Sequence, residues 1–226
     1  MAPRNLDPAE VRVLGALIEK DLSTPDHYPL SLNSLVSACN QSSNRDPVIT
    51  LAPDAVSHAI DTLRRQDLVR SFQGSGERVP KYQHLLAQAT ELSRAELAVL
   101  SVLMLRGAQT LAEVRSRAAR LLPGDDADAV ESALHALVAR EPDAPVVRLP
   151  RRPGQKELRY MHLLGGEPVA DGGALDERDH DAQLEPTVAT SGAEDRIAAL
   201  ESLAQDLVRE VADLRAQLEW FRQQFE

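Results

Sequence analysis

The most basic stretch of the chain combines a Pro-Gly turn with five basic side chains. They lie within twelve positions, at Arg148, Arg151, Arg152, Lys156 and Arg159. Side chains of this type can neutralise phosphates along a nucleic-acid backbone or reach into a minor groove. The same residues would also keep an ordinary solvated hairpin soluble. The stretch therefore has two interpretations, a phosphate contact or a solvated turn, and the sequence leaves both open.

A second group of polar and basic side chains lies on the outward face of a helix predicted for residues 54–67. Its members are Ser57, His58, Arg64 and Arg65. Arginines at such positions can contact phosphates or base edges, although basic residues in a last turn also complement the helix dipole. Arg78 and Lys81 form a weaker basic pair in the hairpin that follows. We expect these six residues to contribute to any nucleic-acid contact of the first half.

The corresponding helix of the second half, at residues 126–140, has a different surface. Its outward positions include Asp128, Glu131 and His135. Carboxylates facing phosphates repel them, so we do not expect this helix to read a DNA groove.

A polar loop separates the second and third predicted helices of the first half. It contains Asn44, Arg45 and Asp46 before Pro47. Asn and Asp form turns and caps readily, which indicates a self-bonded structural loop. The alternative is a binding loop in which Arg45 contacts a phosphate or the carboxylate of a partner.

Catalytic and metal-binding patterns receive little support from the sequence. The six histidines show no paired spacing typical of a metal helix, and no glycine loop precedes a lysine. Cys39 lies in a predicted apolar stripe, where an inert buried thiol is the expected state. His84 and His162 occupy matching places beside tyrosines, which indicates a shared structural role. We expect no enzyme activity, no cofactor and no metal.

The elements that position these side chains come from an internal repeat. The stretch LDPAEVRVLGAL at residues 6–17 returns 86 positions later as LSRAELAVLSVL. Each copy predicts a helix that starts with a capping box, formed by Asp7 with Glu10 and by Ser93 with Glu96. A repeat of this length predicts two copies of one small domain.

The order of elements after each copy is also the same. Two more helices and a β-hairpin follow in both halves, which is the order of a winged helix-turn-helix domain. The sequence thus predicts a mainly α protein with small β-hairpins, an α+β fold, in two tandem winged-helix domains at residues 1–89 and 90–164. The main difference is the loop between the second and third helices, which is long in the first domain and short in the second.

Two stretches of the first domain are far more specific than a general helix-turn-helix pattern. They are TPDHYPLSLN at residues 24–33 and ACNQSSNRDPV at residues 38–48. Through them the chain resembles the YceH family, uncharacterised bacterial proteins built as tandem winged helices, over residues 6–164. The resemblance implies the fold, and it implies no catalytic residue and no assigned activity.

The remainder of the chain has two further parts. Residues 165–193 are rich in Gly, Pro and acidic side chains, and we expect a disordered acidic linker there. Residues 194–226 repeat apolar side chains at alternating spacings of three and four, which predicts a coiled-coil helix and a homodimer. The dimerisation seam would consist of Ile197, Leu200, Ala204, Leu207, Val211, Leu214, Leu218, Phe221 and Phe225.

Charge is distributed unevenly over the 226 residues. The net charge is −10, but residues 165–226 alone hold 15 acidic and 5 basic side chains, so both predicted domains are close to neutral. Near neutrality neither requires nor excludes a phosphate-binding surface. A single cysteine and the lack of a long apolar run or signal-peptide core favour a soluble cytoplasmic protein without a membrane contact.

These observations favour a DNA-binding protein with a regulatory role, acting on double-stranded DNA as a homodimer. The alternative is a protein-protein interaction scaffold, because tandem winged helices with acidic overall charge also serve in chromosome-organising complexes. The acidic third helix of the second domain fits a protein partner better. The basic hairpin of the second domain distinguishes DNA binding from the scaffold function, since only DNA binding requires its arginines.

Overall fold

The computed structural model describes residues 5–73, 79–124, 126–151 and 157–166. It is a mixed α/β structure with small antiparallel sheets, and all described residues belong to one unit. The first half contains, in chain order, α1 (Pro8–Ser23), a 3-10 turn (Pro25–His27), β1 (Leu30–Ser31), α2 (Leu32–Cys39), α3 (Pro53–Arg65), β2 (Val69–Phe72), β3 (Lys81–His84) and α4 (Leu86–Thr90). The second half contains α5 (Arg94–Arg106), β4 (Gln109–Thr110), α6 (Leu111–Ala119), α7 (Ala127–Ala139), β5 (Val146–Leu149) and β6 (Arg159–His162).

The two helices of the sequence repeat, α1 and α5, begin as predicted. At α1, Asp7 accepts a hydrogen bond from the backbone of Glu10 at 2.8 Å, and the Glu10 carboxylate accepts from the backbone of Asp7 at 3.0 Å. Ser93 and Glu96 form the same reciprocal pair at α5. Both capping boxes are therefore confirmed, and each satisfies backbone donors that the first helical turn leaves open.

Each half closes on a three-stranded antiparallel sheet. The strand orders are β1-β3-β2 and β4-β6-β5, so the central strand is the last one in both. The registers also correspond, because Val69 lies opposite His84 in one sheet and Val146 opposite His162 in the other. The predicted hairpins are confirmed. The third strands, β1 and β4, were not predicted, since a two-residue strand has no alternating pattern to detect.

Helices α1 and α5 pack against each other and join the two halves. Gly15 of α1 packs tightly against α5, where an added Cβ atom would be 3.1 Å from the Leu105 Cγ atom. Both helices are buried almost all round, including an unbroken run from Leu97 to Leu105. A hydrogen bond from the Leu6 backbone to the Leu164 carbonyl, at 2.8 Å, also joins the two halves. The repeated helices thus form the centre of one body and not two separate surfaces.

Helix α3 directs its polar side chains outward because its apolar stripe faces the core. The buried positions of α3 are Val56, Ala59, Ile60 and Leu63, as the sequence predicts. They pack toward α1, and a backbone hydrogen bond from Leu85 to Leu68 at 2.7 Å ties the following hairpin to the same core. The arginines in the last turn of α3 consequently lie beside strand β2.

Candidate nucleic-acid interface

The four predicted contact residues on α3 share one face of the helix. His58, Arg64 and Arg65 are exposed, and Ser57 is half-buried at the edge of that face. Arg64 approaches Asp61 at 3.4 Å, and Arg65 donates to the Thr62 hydroxyl at 2.9 Å. These are contacts along one exposed helix surface, so they contribute little to stability and can be exchanged for contacts to another molecule.

Arg64 and Arg65 meet a third arginine, Arg70 of β2, around a groove of about 600 Å³. We call this the arginine groove. It is lined by Asp61, Arg64, Arg65, Asp67, Val69, Arg70, Ser71 and Leu85. Three guanidinium groups and two carboxylates thus surround one concave surface. Among the described residues, Asp61 is the one carboxylate within ion-pair distance of these arginines.

Arg70 was not among the predicted contact residues. Its guanidinium donates to the side-chain oxygen of Gln83 on β3 at 2.9 and 3.1 Å. A guanidinium carries five N–H donors, so this contact orients Arg70 and leaves further donors. The signal that could have found Arg70 is its place in the predicted strand LVRSF, where alternation directs it away from the core.

The hairpin that follows α3 carries both basic and apolar side chains. Lys81 begins β3 and is half-buried, whereas Arg78 lies outside the described residues. Phe72 and Val79 flank the turn and are 52% and 53% exposed.

The basic hairpin of the second half is described in part. Arg148 on β5 and Arg151 are exposed, and Arg159 on β6 is half-buried. Arg152 and Lys156 lie outside the described residues. The structure therefore places three of the five basic side chains on or beside one hairpin, in agreement with either interpretation of this stretch.

The acidic surface of α7 has partners inside the protein. Arg115 of α6 contacts Asp128 at 3.0 Å and Glu131 at 3.1 Å, while His135 is exposed. One arginine thus pairs with two carboxylates, so this described face of the second half stays acidic.

Arg45 of the polar loop lies in the interior. Its side chain is fully buried and forms a bidentate ion pair with Glu19 of α1 at 2.7 and 3.0 Å. It also donates to the carbonyl of Ala38, the carbonyl of Asn44 and the side chain of Gln41. These contacts correspond to the self-bonded loop. They occupy the guanidinium that the binding-loop interpretation would direct to a phosphate.

The same loop reaches the second half. The backbone of Asp46 donates to the Leu105 carbonyl at 2.9 Å, and Arg106 donates to the Asn44 side chain at 2.6 Å. The loop thereby satisfies a carbonyl at the C-terminal end of α5, which the helix itself leaves open. Asn44 adopts a left-handed backbone conformation with φ of 59°. We call this contact between residues 44–46 and the end of α5 the loop clasp.

A second arginine supports this buried polar cluster. Arg12 of α1 donates to the carbonyls of Cys39 and Pro47 at 3.2 and 2.7 Å. Burial, together with the neighbouring charge of Arg45, lowers the pKa of Arg12. Neither Arg12 nor Glu19 was among the predicted site residues. Their spacing of seven along one predicted helix face was the available signal.

The paired histidines both lie at the base of a hairpin. His84 contacts Asp21 through Nε2 at 3.2 Å, and its backbone N–H donates to the hydroxyl of Tyr28. His162 is buried, which lowers its pKa to about 4. Among the described residues, neither Nδ1 atom has a hydrogen-bond partner. Both histidines are therefore interior side chains.

Cys39 is buried on α2, and burial raises the pKa of its thiol to about 12. A protonated, inaccessible thiol is a poor nucleophile. The described ranges contain no cluster of three or more His, Cys, Asp or Glu side chains arranged for a metal ion. In the same ranges, no helix combines the length and apolarity needed to cross a membrane.

The dimerisation seam lies outside the described residues, and so does nearly all of the predicted linker. The seam positions concerned are Ile197, Leu200, Ala204, Leu207, Val211, Leu214, Leu218, Phe221 and Phe225. The coiled coil and the homodimer consequently stay predictions.

Comparison with known proteins identifies the family. The model of the family described as "Protein of unknown function, DUF480" matches residues 6–155. The chain is 48% identical to a UPF0502 protein of Geobacter sulfurreducens, over 98% of both chains. It is 46% identical to a UPF0502 protein of an Azoarcus species, over 98% of this chain and 95% of the relative. A UPF0502 protein of Vibrio atlanticus is 43% identical, over 95% and 97%. With this match across both repeated halves, the chain belongs to the DUF480 family.

Proposed function

We propose that this protein is a DNA-binding regulator, without catalytic activity, built from two tandem winged-helix domains at residues 1–89 and 90–164. Three helices lead into a small sheet in each half, and the β2–β3 and β5–β6 hairpins stand where such a domain carries its wing. Helices α3 and α7 then occupy the position of the groove-reading helix. The proposal takes double-stranded DNA as the ligand.

The arginine groove carries the proposal. Arg64, Arg65 and Arg70 converge from the last turn of α3 and the first strand of its wing. Guanidinium groups bind phosphate oxygens through two parallel hydrogen bonds, and three of them on one concave surface can follow a DNA backbone. Ser57 and His58, earlier on the same helix face, are then placed toward base edges.

The second half contributes through its hairpin. Arg148 and Arg151 are exposed there, whereas the carboxylates of α7 are already paired with Arg115. In this proposal the first half binds in the major groove of the DNA, and the second half contacts the phosphate backbone nearby. This division assigns different tasks to two copies of one domain.

A homodimer through residues 194–226 completes the proposal, with residues 165–193 as the acidic linker. Linking two weak sites raises the apparent affinity through effective concentration, which suits domains that are close to neutral. Mass in solution tests this part. We expect a dimer for the full chain and a monomer for a chain ending at residue 189, and a monomeric full chain would contradict it.

Binding of the full chain to random duplex DNA at 50 and 200 mM salt tests the ligand. If the three groove arginines are the phosphate contacts, affinity should fall about 40-fold over this range for one site. Changing Arg64, Arg65 and Arg70 to Ala should weaken binding to all sequences and lower the salt slope by about one for each arginine. Arg151→Ala with Arg152→Ala should have a smaller effect of the same kind.

A single substitution after α6 provides the matched control. Arg120 is exposed and follows the last residue of α6, and Arg120→Ala removes one positive charge, as Arg64→Ala does. The proposal expects Arg64→Ala to lower the salt slope by about one and Arg120→Ala to leave it unchanged. Equal losses in both single variants, or no binding at 50 mM salt, would refute the assigned interface.

The second candidate function is a protein-interaction scaffold. The observation in its favour is the exposure of Phe72 and Val79 at the first wing, since apolar surface of this kind suits a protein partner. Phe72→Ser with Val79→Ser separates the candidates. A scaffold should lose its partner in this variant, whereas the salt slope of DNA binding should be unchanged.

A further inference from the structure

Strand β2 forms an open edge of the first sheet, because the strand order is β1-β3-β2. The backbone of Leu85 donates to the Leu68 carbonyl at 2.7 Å, so these two opposing residues form a hydrogen-bonded pair. Bonded and non-bonded pairs alternate along an antiparallel ladder, so Val69 and Ser71 direct their backbone groups away from β3. His84, opposite Val69, accordingly donates its backbone N–H to a tyrosine hydroxyl next to β1 and not to β2. Among the described residues, the N–H and carbonyl groups of Val69 and Ser71 have no hydrogen-bond partner.

The arginine groove lies beside this open edge, because Val69 and Ser71 line it together with its three arginines. Arg65 and Arg70 hydrogen-bond to neutral groups, and in the described part of the chain neither forms an ion pair with a carboxylate. Phe72 continues the strand and is 52% exposed. Free backbone groups on a strand edge bind an extended chain, and arginines beside them favour a chain that carries carboxylates.

The second half has an open edge without these arginines. Strand β5 is the edge of its sheet, and its register matches that of β2, so Val147 stands where the first half has Arg70. Val138 and Ala139 of α7 take the places of the two last-turn arginines of α3. The two halves therefore share the edge and differ in the charge beside it.

We propose that an extended acidic peptide of a partner protein adds to β2 as a fourth strand. A carboxylate of the peptide lies opposite Arg70, and an apolar side chain lies opposite Phe72, two positions along. Neighbours of this kind on one face of a sheet have Cβ atoms about 5 Å apart, close enough for both contacts. The four residues of β2 span about 13 Å, so a segment of four to six residues is sufficient.

Charge distinguishes this occupant from the two others that a strand edge and an arginine groove could hold. A second copy of β2 would place the arginines of one chain beside those of the other, and like charges on adjacent strands repel. A DNA backbone can pair with the guanidinium groups but cannot use the free backbone groups of Val69 and Ser71 in a ladder. Carboxylates and phosphate oxygens satisfy the same guanidinium geometry, so the bound peptide excludes DNA from the groove. That exclusion rests on the proposed function, whereas strand addition does not.

Binding is tested first without DNA. The probe is a fluorescein-labelled peptide of eight residues with the repeating sequence Thr-Glu-Thr-Val, added to the full chain at low salt and followed by fluorescence anisotropy. We expect saturable binding that weakens about tenfold in Arg70→Ala, because one charge-assisted hydrogen bond corresponds to about this factor. The control Arg120→Ala should bind the peptide like the unaltered chain. No binding of the peptide, or equal losses in the two variants, overturns the proposal.

Strand pairing is separated from simple charge attraction by methylating the peptide amides. Alternate residues of an added strand direct their backbone groups toward β2, and the residues between them direct theirs away. Methylating the amides of one alternate set should therefore abolish binding, and methylating the other set should leave it unchanged. Equal effects of the two sets show attraction without a ladder and overturn the proposal.

A substitution in β2 tests the same ladder from the side of the protein. Ser71→Pro removes an N–H group that faces the open edge, so the pairing with β3 loses no hydrogen bond. We expect the peptide to bind about fivefold more weakly to Ser71→Pro, and the control Ser71→Ala, which keeps the N–H, to bind normally. If Ser71→Pro instead lowers the mass of the chain in solution while the peptide does not bind, the edge joins two copies and the proposal is overturned.

Competition with DNA is measured last, and it separates the two proposals. Unlabelled peptide at ten times its own dissociation constant should weaken the binding of labelled duplex DNA about tenfold. Simultaneous binding of peptide and DNA refutes the exclusion. If the peptide binds through Arg70 but no variant binds DNA, the proposed function is refuted and strand addition is supported. If DNA binding depends on the groove arginines while the peptide does not bind, the proposed function is supported and strand addition is refuted.

Discussion

Replacing Arg45 by Ala should be among the most destabilising single changes in the described part of the chain. The Arg45 side chain is fully buried, and the Glu19 side chain is 10% exposed, with oxygen-nitrogen distances of 2.7 and 3.0 Å. Removing the arginine leaves a buried carboxylate on α1 and unpaired carbonyls at Ala38 and Asn44. The Ala38 carbonyl is buried, so water reaches it only if the loop opens, and Glu19 keeps only the longer contact to Lys20 at 3.8 Å.

The expected loss of stability depends on the Glu19 carboxylate, which remains buried after Arg45 is removed. Deleting one partner of a buried pair lowers the free energy of unfolding by about 3–5 kcal/mol, because the other charge stays uncompensated. For a domain of this size that corresponds to a fall in Tm of about 6–20 °C. Salt should change the loss little, since a buried pair is poorly screened.

Urea unfolding followed by far-UV circular dichroism measures the effect. A double-mutant cycle with Glu19→Gln should give a coupling of about 2 kcal/mol between the two positions. The control is Arg64→Ala, whose ion pair with Asp61 joins side chains that are 47% and 61% exposed and should cost less than about 1 kcal/mol.

Equal losses for Arg45→Ala and Arg64→Ala would refute this reasoning. So would a coupling near zero, because it would show that Glu19 does not depend on Arg45. A large loss without coupling would locate the effect in the carbonyl contacts of the loop.

Three further predictions concern interior groups. Burial lowers the pKa of His162 to about 4, so between pH 6.5 and 4 the unfolded chain binds a proton that the folded chain does not. As the solution is acidified through this window, the free energy of unfolding should therefore fall by about 1.4 kcal/mol for each pH unit. Urea titrations at several pH values measure this fall. The fall should be absent in His162→Gln and present in the control His58→Gln. Gly15→Val should lower the free energy of unfolding, measured in urea, by about 1–3 kcal/mol, because the larger side chain would crowd α5. The control is Ala112→Val on the exposed face of α6. A similar loss of stability in the control would contradict crowding as the cause. Burial raises the pKa of Cys39 to about 12, so iodoacetamide at pH 8 should alkylate it only as fast as the chain unfolds, and rapid labelling of the folded protein would contradict its burial.

Local patterns were sufficient to predict the helix starts and the hairpins. Asp7 and Ser93 form their capping boxes with residues three positions away, and a hairpin needs only a turn between two short runs. The inward stripe of α3 was predictable for the same reason, since helical periodicity determines which face is apolar. The capping boxes, the hairpins and the apolar stripe of α3 all depend on residues that are close together in the sequence.

The contacts that join distant parts of the chain were not predictable in this way. Glu19 and Arg45 are 26 positions apart, and nothing in a turn-rich loop distinguishes a buried arginine from a solvated one. Arg70 entered the candidate site only because the hairpin turns it toward the end of α3. The close packing at Gly15 likewise depends on a helix about 90 positions away, although a glycine within a helix was a partial signal.

The loop clasp has a consequence for how the two copies of the repeat could change. In a symmetric homodimer every substitution appears twice, so a contact that suits one subunit must also be tolerated by the other. Here α1 and α5 pair within a single polypeptide, and residues 44–46 contact the end of α5 while the second half has a short connection between α6 and α7. The pairing of the halves does not depend on protein concentration, and each half can acquire a substitution that the other lacks. The last-turn arginines Arg64 and Arg65 of α3 are a difference of this kind, because Val138 and Ala139 stand at the corresponding positions of α7.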